Sequence, residues 1–281
     1  MKKAGIFFKS IVPVLIIIVL QFIASFVMMI IYAAKTMEET GFDIDSLLGN
    51  IMSVANDSSF TQNVGLVYGV IGIILFGIWY RSVFIKPFKN RPKNYPAGFS
   101  FHTVVAIVCL AVGLQYICRL VTDLTASVNI EWLTNYNNLM ETAGYDSLSI
   151  LLIIYTIILA PIVEELTFRG LVFRYARHAL PFWIANIWQA LLFGIIHLNV
   201  IQGVYAFTVG LFLGWVCHRG RGIKYSILLH MIFNLFGAVY AGLFSLTMSF
   251  SYNIFLGLGI AITIFGIWLF YTDFESEPER R

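Results

Sequence analysis

Long apolar runs alternate with short polar and charged ones along the whole chain. The apolar segments cover about residues 11–34, 65–80, 101–122, 147–173, 182–198, 200–217, 225–246 and 252–271. Each is close to the roughly 20 residues that an α-helix needs to cross the hydrocarbon core of a bilayer. The pattern predicts an all-α fold, a polytopic transmembrane helical bundle of about eight spans, formed as a single integral membrane domain over residues 1–281. The first segment follows Lys2, Lys3 and Lys9. Its apolar stretch exceeds the roughly 7–15 residues of a signal-peptide core, so it reads as a spanning helix.

Composition narrows the class. Hydrophobic residues make up 59% of the chain and charged residues 12%. An ordinary soluble domain is about half apolar and about a quarter charged. Little of the chain is left for a water-soluble body, which excludes a single-anchor enzyme as well as a disordered or disulfide-stapled protein. Cys109, Cys118 and Cys217 all lie in apolar stretches and read as packing thiols.

The net charge of +3 matters less than its placement. With both termini in the cytosol, all but Lys35 and Arg119 of the 18 lysines and arginines fall on the cytosolic side. That bias fixes the orientation under the positive-inside rule. It also makes the lipid bilayer, and not nucleic acid, the partner of these charges. The loop over 81–100 is expected inside. The acidic loop over 36–64 is expected outside.

The fourth segment breaks its apolar run with Glu164, Glu165 and Arg169, then continues apolar through Leu171, Val172 and Phe173. A continuous helix puts Glu164 about 15 Å below the cytosolic edge, marked by Arg174. Pro161 is expected to kink that helix by removing one backbone bond. A charge at mid-bilayer costs at least about 2.5–3.5 kcal/mol, so such residues are retained for function or snorkel to water. Glu165 and Arg169 are i, i+4 and can pair. Glu164 lies about 100° around the helix and is available for other work. His197 lies four residues after Phe193 in the fifth segment, about 22 Å from Phe182. His230 and Asn234 are i, i+4 on the seventh segment, about 9 and 15 Å from Lys224. A lone intramembrane histidine most simply makes an interhelical hydrogen bond. Four such positions on three helices at overlapping depth point to a shared site. Gly210 and Gly214 form a small-xxx-small packing face. His102, His178 and His218 sit at span ends and read as interface residues.

A carboxylate and a histidine that share a water can deprotonate it, and His230 with Asn234 can donate to an oxyanion. That is an amide-hydrolysis site with water as the nucleophile. A zinc hydrolase held by Glu164, His197 and His230 is a second reading, without any H-E-x-x-H helix to carry it. A transporter using Glu164 and Glu165 as a proton relay is a third, although neither an internal repeat nor a second broken helix accompanies it.

Three motifs bear a resemblance. Glu164-Glu165-Leu-Thr-Phe-Arg169 has the pattern E-E-x-x-x-R, Phe193-Gly-Ile-Ile-His197 the pattern F-x-x-x-H, and His230-Met-Ile-Phe-Asn234 the pattern H-x-x-x-N. Together, in this order, on a motif-bearing core of about 147–246, they resemble the CPBP family, the bacterial relatives of the type II CAAX prenyl endopeptidases. The resemblance implies a multi-pass intramembrane endopeptidase of a bacterial cell membrane, with a chamber open to the cytosol. It implies Glu164 and His197 activating water and His230 and Asn234 binding the oxyanion, with Glu165, Arg169 and Phe193 in support and no cofactor. The implied partner is a membrane-associated peptide or protein substrate, taken as a flexible end or leader. The same family includes proteins described as bacteriocin self-immunity or abortive-infection factors, so a non-catalytic peptide-binding role is the remaining alternative.

Overall fold

The computed structural model describes residues 2–40, 49, 54, 57–86, 98–146, 149–247 and 252–274. Residues 41–48, 50–53 and 55–56 of the 36–64 loop, the centre of the 81–100 loop and the C-terminal Arg280 and Arg281 lie outside the described residues. Among the described residues the ordered structure is helical, with no strand. The helices are α1 Lys2–Phe8, α2 Val12–Thr40, α3 Ser58–Tyr80, α4 Phe101–Val128 and α5 Ile130–Thr142. They continue as α6 Ile150–Arg177, α7 Phe182–Ile195, α8 Val200–Arg219, α9 Ile223–Thr247 and α10 Tyr252–Asp273. Six of them are long and apolar enough to cross a membrane, and α7 and α9 contribute shorter apolar helices. Every predicted span is therefore a helix. The protein is a polytopic helical membrane protein.

The two ends of the bundle differ in chemistry. At the basic end, Trp188 of α7 donates to Ser10 across 3.1 Å. There Asp273, at the end of α10, accepts from Ser100 and Thr103 at the start of α4. The beginning and the end of the described chain thus meet the same end of the bundle. His218 stacks on Phe182 with ring centroids 4.4 Å apart, and His178 stacks on Phe84. At the other end, Ser149 donates to Gln62 across 2.6 Å, which ties the start of α6 to α3. Many of the exposed large apolar side chains lie on α2 and α10, as expected for a lipid-facing rim.

The site-bearing helix α6 is set by close packing on α3. Gly65, Gly69 and Gly72 face Tyr155, Leu159 and Val163 in turn. A Cβ at Gly65 would lie 3.0 Å from the Tyr155 ring, and one at Gly69 would lie 2.9 Å from Leu159. Small residues let the two backbones approach, and in lipid that dispersion contact is the main source of helix–helix attraction. Pro161 does not break α6. The turn ahead of it widens, with i→i−5 bonding over Tyr155–Leu159, and the helix resumes at Ala160. A second wide stretch covers Leu166–Val172. Such wide turns absorb an extra residue and re-aim the side chains after it.

Two elements depart from the sequence expectation. α5, a 13-residue helix with no buried residue, follows α4 after Asn129 caps it. It is too short and too polar to register as a span. The fifth segment also ends early: α7 stops at Ile195, and residues 196–199 turn the chain into α8. Asn199 accepts from the backbone N–H of Gln202 and starts α8, while Leu198 takes the left-handed conformation at φ 53°. That conformation costs a non-glycine residue about 1–2 kcal/mol.

Candidate active site

Residues of eight helices, α2 to α9, line one cavity of about 690 Å³. Glu164, Phe193, His197, His230 and Asn234 all line it. Glu165 and Arg169 lie behind its wall, with no exposed surface.

Glu165 is the centre of the buried polar network. Its Oε1 accepts from Arg169 Nη1 at 2.8 Å and from His230 Nδ1 at 3.0 Å. A carboxylate oxygen only accepts from these donors, so Nδ1 of His230 carries a proton. The His230 Nε2 then points at Glu164, 3.7 Å from Oε2. His230 thus stands between the two glutamates. Their side chains differ as the i, i+4 pairing predicts: Glu164 is 15% exposed and Glu165 is fully buried.

Arg169 reaches across to the α7–α8 hairpin. Its Nη2 donates to the Gly210 carbonyl at 3.3 Å, and its guanidinium lies over the Phe193 ring, 4.4 Å from the centroid. Phe193 also meets His197 and His230 edge-to-face, at 5.1 and 5.8 Å between centroids. One aromatic ring therefore positions both histidines and the arginine.

His197 lies in the corner after α7 and not within a helix as the sequence suggested, because α7 ends before it. Its Nδ1–H donates to the Phe193 carbonyl at 2.7 Å. In the neutral ring that leaves Nε2 as an acceptor.

Asn234 has a structural duty that the sequence reading did not assign. Its Nδ2 donates to the Thr156 carbonyl at 2.9 Å. Ala160 N–H bonds to the Tyr155 carbonyl in the wide turn. Continuing that register, residue 161 would serve Thr156, but a proline has no N–H to give. Asn234 supplies the missing donor and still has a second amide hydrogen.

Further polar residues escaped the sequence reading. Asn186 and Gln189 are fully buried on α7. Gln189 donates to Asn186 Oδ1 and to the Gly210 carbonyl at 2.9 and 2.8 Å. Asn186 and Gln189 occupy the space that a Cβ at Gly214 would fill. The Gly210–Gly214 face thus seats a polar cluster as well as a helix. The signal was available: amides inside a membrane helix require partners, and a small-residue face is where partners come close. Tyr68, Gln115 and Tyr155 also line the cavity. Gln115 donates to the Phe233 carbonyl at 2.7 Å and so fixes α9 against α4. Among the described residues, no three His, Cys, Asp or Glu side chains form a group able to hold a metal ion. The donor set proposed for zinc from sequence, Glu164, His197 and His230, shares the cavity wall without converging on one point.

The cavity is one-sided. From Glu164 it runs toward the end that carries α5, past Tyr155, Thr156, Tyr136 and Gln202. It does not run toward the basic end, where Phe168, Leu171, Leu213 and Leu229 have no exposed surface.

A helical membrane protein with a buried carboxylate–histidine–arginine network behind a polar chamber is the class that fold and site define. Residues 146–236 match the family described as Type II CAAX prenyl endopeptidase Rce1-like. The match covers the motif-bearing part of the chain, from the start of α6 into α9. No curated protein and no solved structure matches the chain.

Proposed function

We propose that the protein is an intramembrane endopeptidase that hydrolyses a peptide bond with a water held between Glu164 and His197. The observation that carries this reading is the convergence of Glu164, His197, His230 and Asn234 on one cavity, with Glu165 and Arg169 fixing His230 from behind. Glu164 takes a proton from the water, and the hydroxide attacks the scissile carbonyl carbon. His197 Nε2 accepts the other water hydrogen and aims the lone pair. The carbonyl oxygen becomes an oxyanion stabilised by His230 and by the second amide hydrogen of Asn234. The proton on Glu164 passes to the amide nitrogen, the C–N bond breaks to give a carboxylic acid and an amine, and the acid's proton then moves by way of Glu164 to the amine, so that a carboxylate and an ammonium leave. Glu165 holds the His230 ring with its Nδ1–H turned inward, and Arg169 holds Glu165 in place.

The substrate is an extended, flexible peptide segment of a membrane-associated precursor, since a folded domain does not enter a helix bundle. The test compares membrane peptides from cells making wild-type protein with those from cells making Glu164→Gln. Precursors should accumulate in the variant, and purified wild-type protein should cleave the accumulated peptide after prolonged chelation. Loss of cleavage on chelation with rescue by zinc alone would replace this mechanism by a metal-dependent one. An unchanged peptide set, with no cleavage by pure protein, would leave a peptide-binding role.

A further inference from the structure

We infer that the chamber is loaded from the non-cytosolic face of the membrane, through the mouth beside α5, and that its substrate is a peptide segment displayed on that face. The inference rests on the endopeptidase reading for its substrate but not for its direction. The resemblance drawn from sequence implies cytosolic access. The structure ties the direction of the chamber to the orientation of the bundle, so cytosolic access and cytosolic basic loops do not hold together.

The argument uses helices that run in alternate directions. On α6 the chamber is lined by Glu164 and by residues N-terminal to it, Tyr155 and Thr156. On α9, which runs the other way, it is lined by His230 and by residues C-terminal to it, Asn234 and Gly237. On α8 the lining residues lie in its N-terminal half, beginning at Gln202. On α4 they lie toward its C-terminal end, Arg119 and Thr122. All four helices extend the chamber toward the same end. On the opposite side of Glu164 the bundle is plugged: Arg169, Leu171, Leu213 and Ser226 have no exposed surface and Tyr225 has 1%. That plugged end leads to Arg174, Arg177, Arg219 and Arg221, which the positive-inside rule puts in the cytosol.

The lining suits a peptide backbone. Away from the glutamate it offers neutral donors and acceptors, the amides of Gln115 and Gln202 and the phenols of Tyr136 and Tyr155, between apolar walls. An extended chain needs such groups because its own N–H and C=O find no water in the chamber. At the mouth, Arg119 pairs with Asp123 at 2.9 Å and both are partly exposed. α5 lies across this mouth, with Tyr136 edge-to-face on Tyr205 of α8 at 6.1 Å between centroids.

Two measurements test the direction. In the first, single cysteines replace Thr122, Gln202 and Arg221 in a chain whose native cysteines are alanine. Intact cells are then treated with a membrane-impermeant maleimide. Thr122→Cys and Gln202→Cys should be labelled from outside and Arg221→Cys only after permeabilisation; the reverse pattern overturns the inference, whether or not the protein is a peptidase. The second uses the wild-type chain in sealed bacterial membrane vesicles of both orientations and a quenched fluorescent peptide, unable to cross the bilayer, with a short apolar end. Right-side-out vesicles should cleave it as fully as detergent-opened ones, and inside-out vesicles should lose that cleavage. Cleavage confined to inside-out vesicles overturns the proposed access. Absence of cleavage even in detergent removes this peptide as a substrate and bears on the enzymatic reading, and the labelling then decides the direction alone.

Discussion

Glu164 and Glu165 are neighbours in sequence, yet their replacement should have different consequences. Glu164 faces the chamber and, among the described residues, makes no short hydrogen bond, so Glu164→Gln should stop turnover and leave thermal unfolding in detergent nearly unchanged. Glu165 is fully buried between Arg169 and His230. Glu165→Gln removes the charge that compensates Arg169, and breaking a buried ion pair by removing one partner costs about 3–5 kcal/mol. Its thermal midpoint should drop together with its activity, measured by differential scanning fluorimetry and by peptide cleavage. A Glu165→Gln protein as stable as wild type would remove the positioning role of this residue. The sequence made part of this legible. Spacing of i, i+4 on one helix predicted the Glu165–Arg169 pair, because both partners are set by helix geometry alone. The His230–Glu165 bond joins helices 65 residues apart in the chain. Its partners are settled by packing, so the motif named both residues without saying that they touch.

At the scale of the element, the spans were legible because apolar length is the signal that lipid imposes. The wide turns of α6 were not, since the proline that prompts the first of them is equally compatible with a kink. The resulting bond between Asn234 and Thr156 makes a specific prediction. Asn234→Ala should lower stability by about 1 kcal/mol, the net worth of a hydrogen bond to a part-buried carbonyl. If this amide also serves the oxyanion, kcat should fall by about 10²–10³. Pro161→Ala restores an N–H at position 161, which can serve Thr156 in the same register. In the double variant the stability loss attributable to Asn234 should therefore shrink while the loss in kcat persists. A double-mutant cycle on unfolding in detergent measures the first quantity, and cleavage kinetics the second. Additive stability losses would mean that Asn234 does not replace the bond that Pro161 lacks.

At the scale of the whole molecule, the charge pattern predicts an orientation and the motifs name candidate site residues. The direction of the chamber required the structure, because it depends on which side of Glu164 the neighbouring helices pack tightly. The plug is dense, whereas on the chamber side, among the described residues, α5 crosses the mouth. That helix has no buried residue, is rich in asparagine, and sets Tyr136 edge-to-face on Tyr205 of α8. Elements with few buried contacts open with free energies far below that of global unfolding, and their amides exchange correspondingly faster. Hydrogen exchange followed by mass spectrometry, on the full chain in lipid nanodiscs, should therefore show early deuteration over residues 130–142. Residues 166–173, in the plug, should stay protected over the longest times. A peptide substrate bound in the chamber of Glu164→Gln protein should slow exchange in α5 and leave the plug unchanged. The opposite distribution, with α5 as protected as the plug and the 166–173 stretch opening early, would make the basic end the mobile one and move the entrance there.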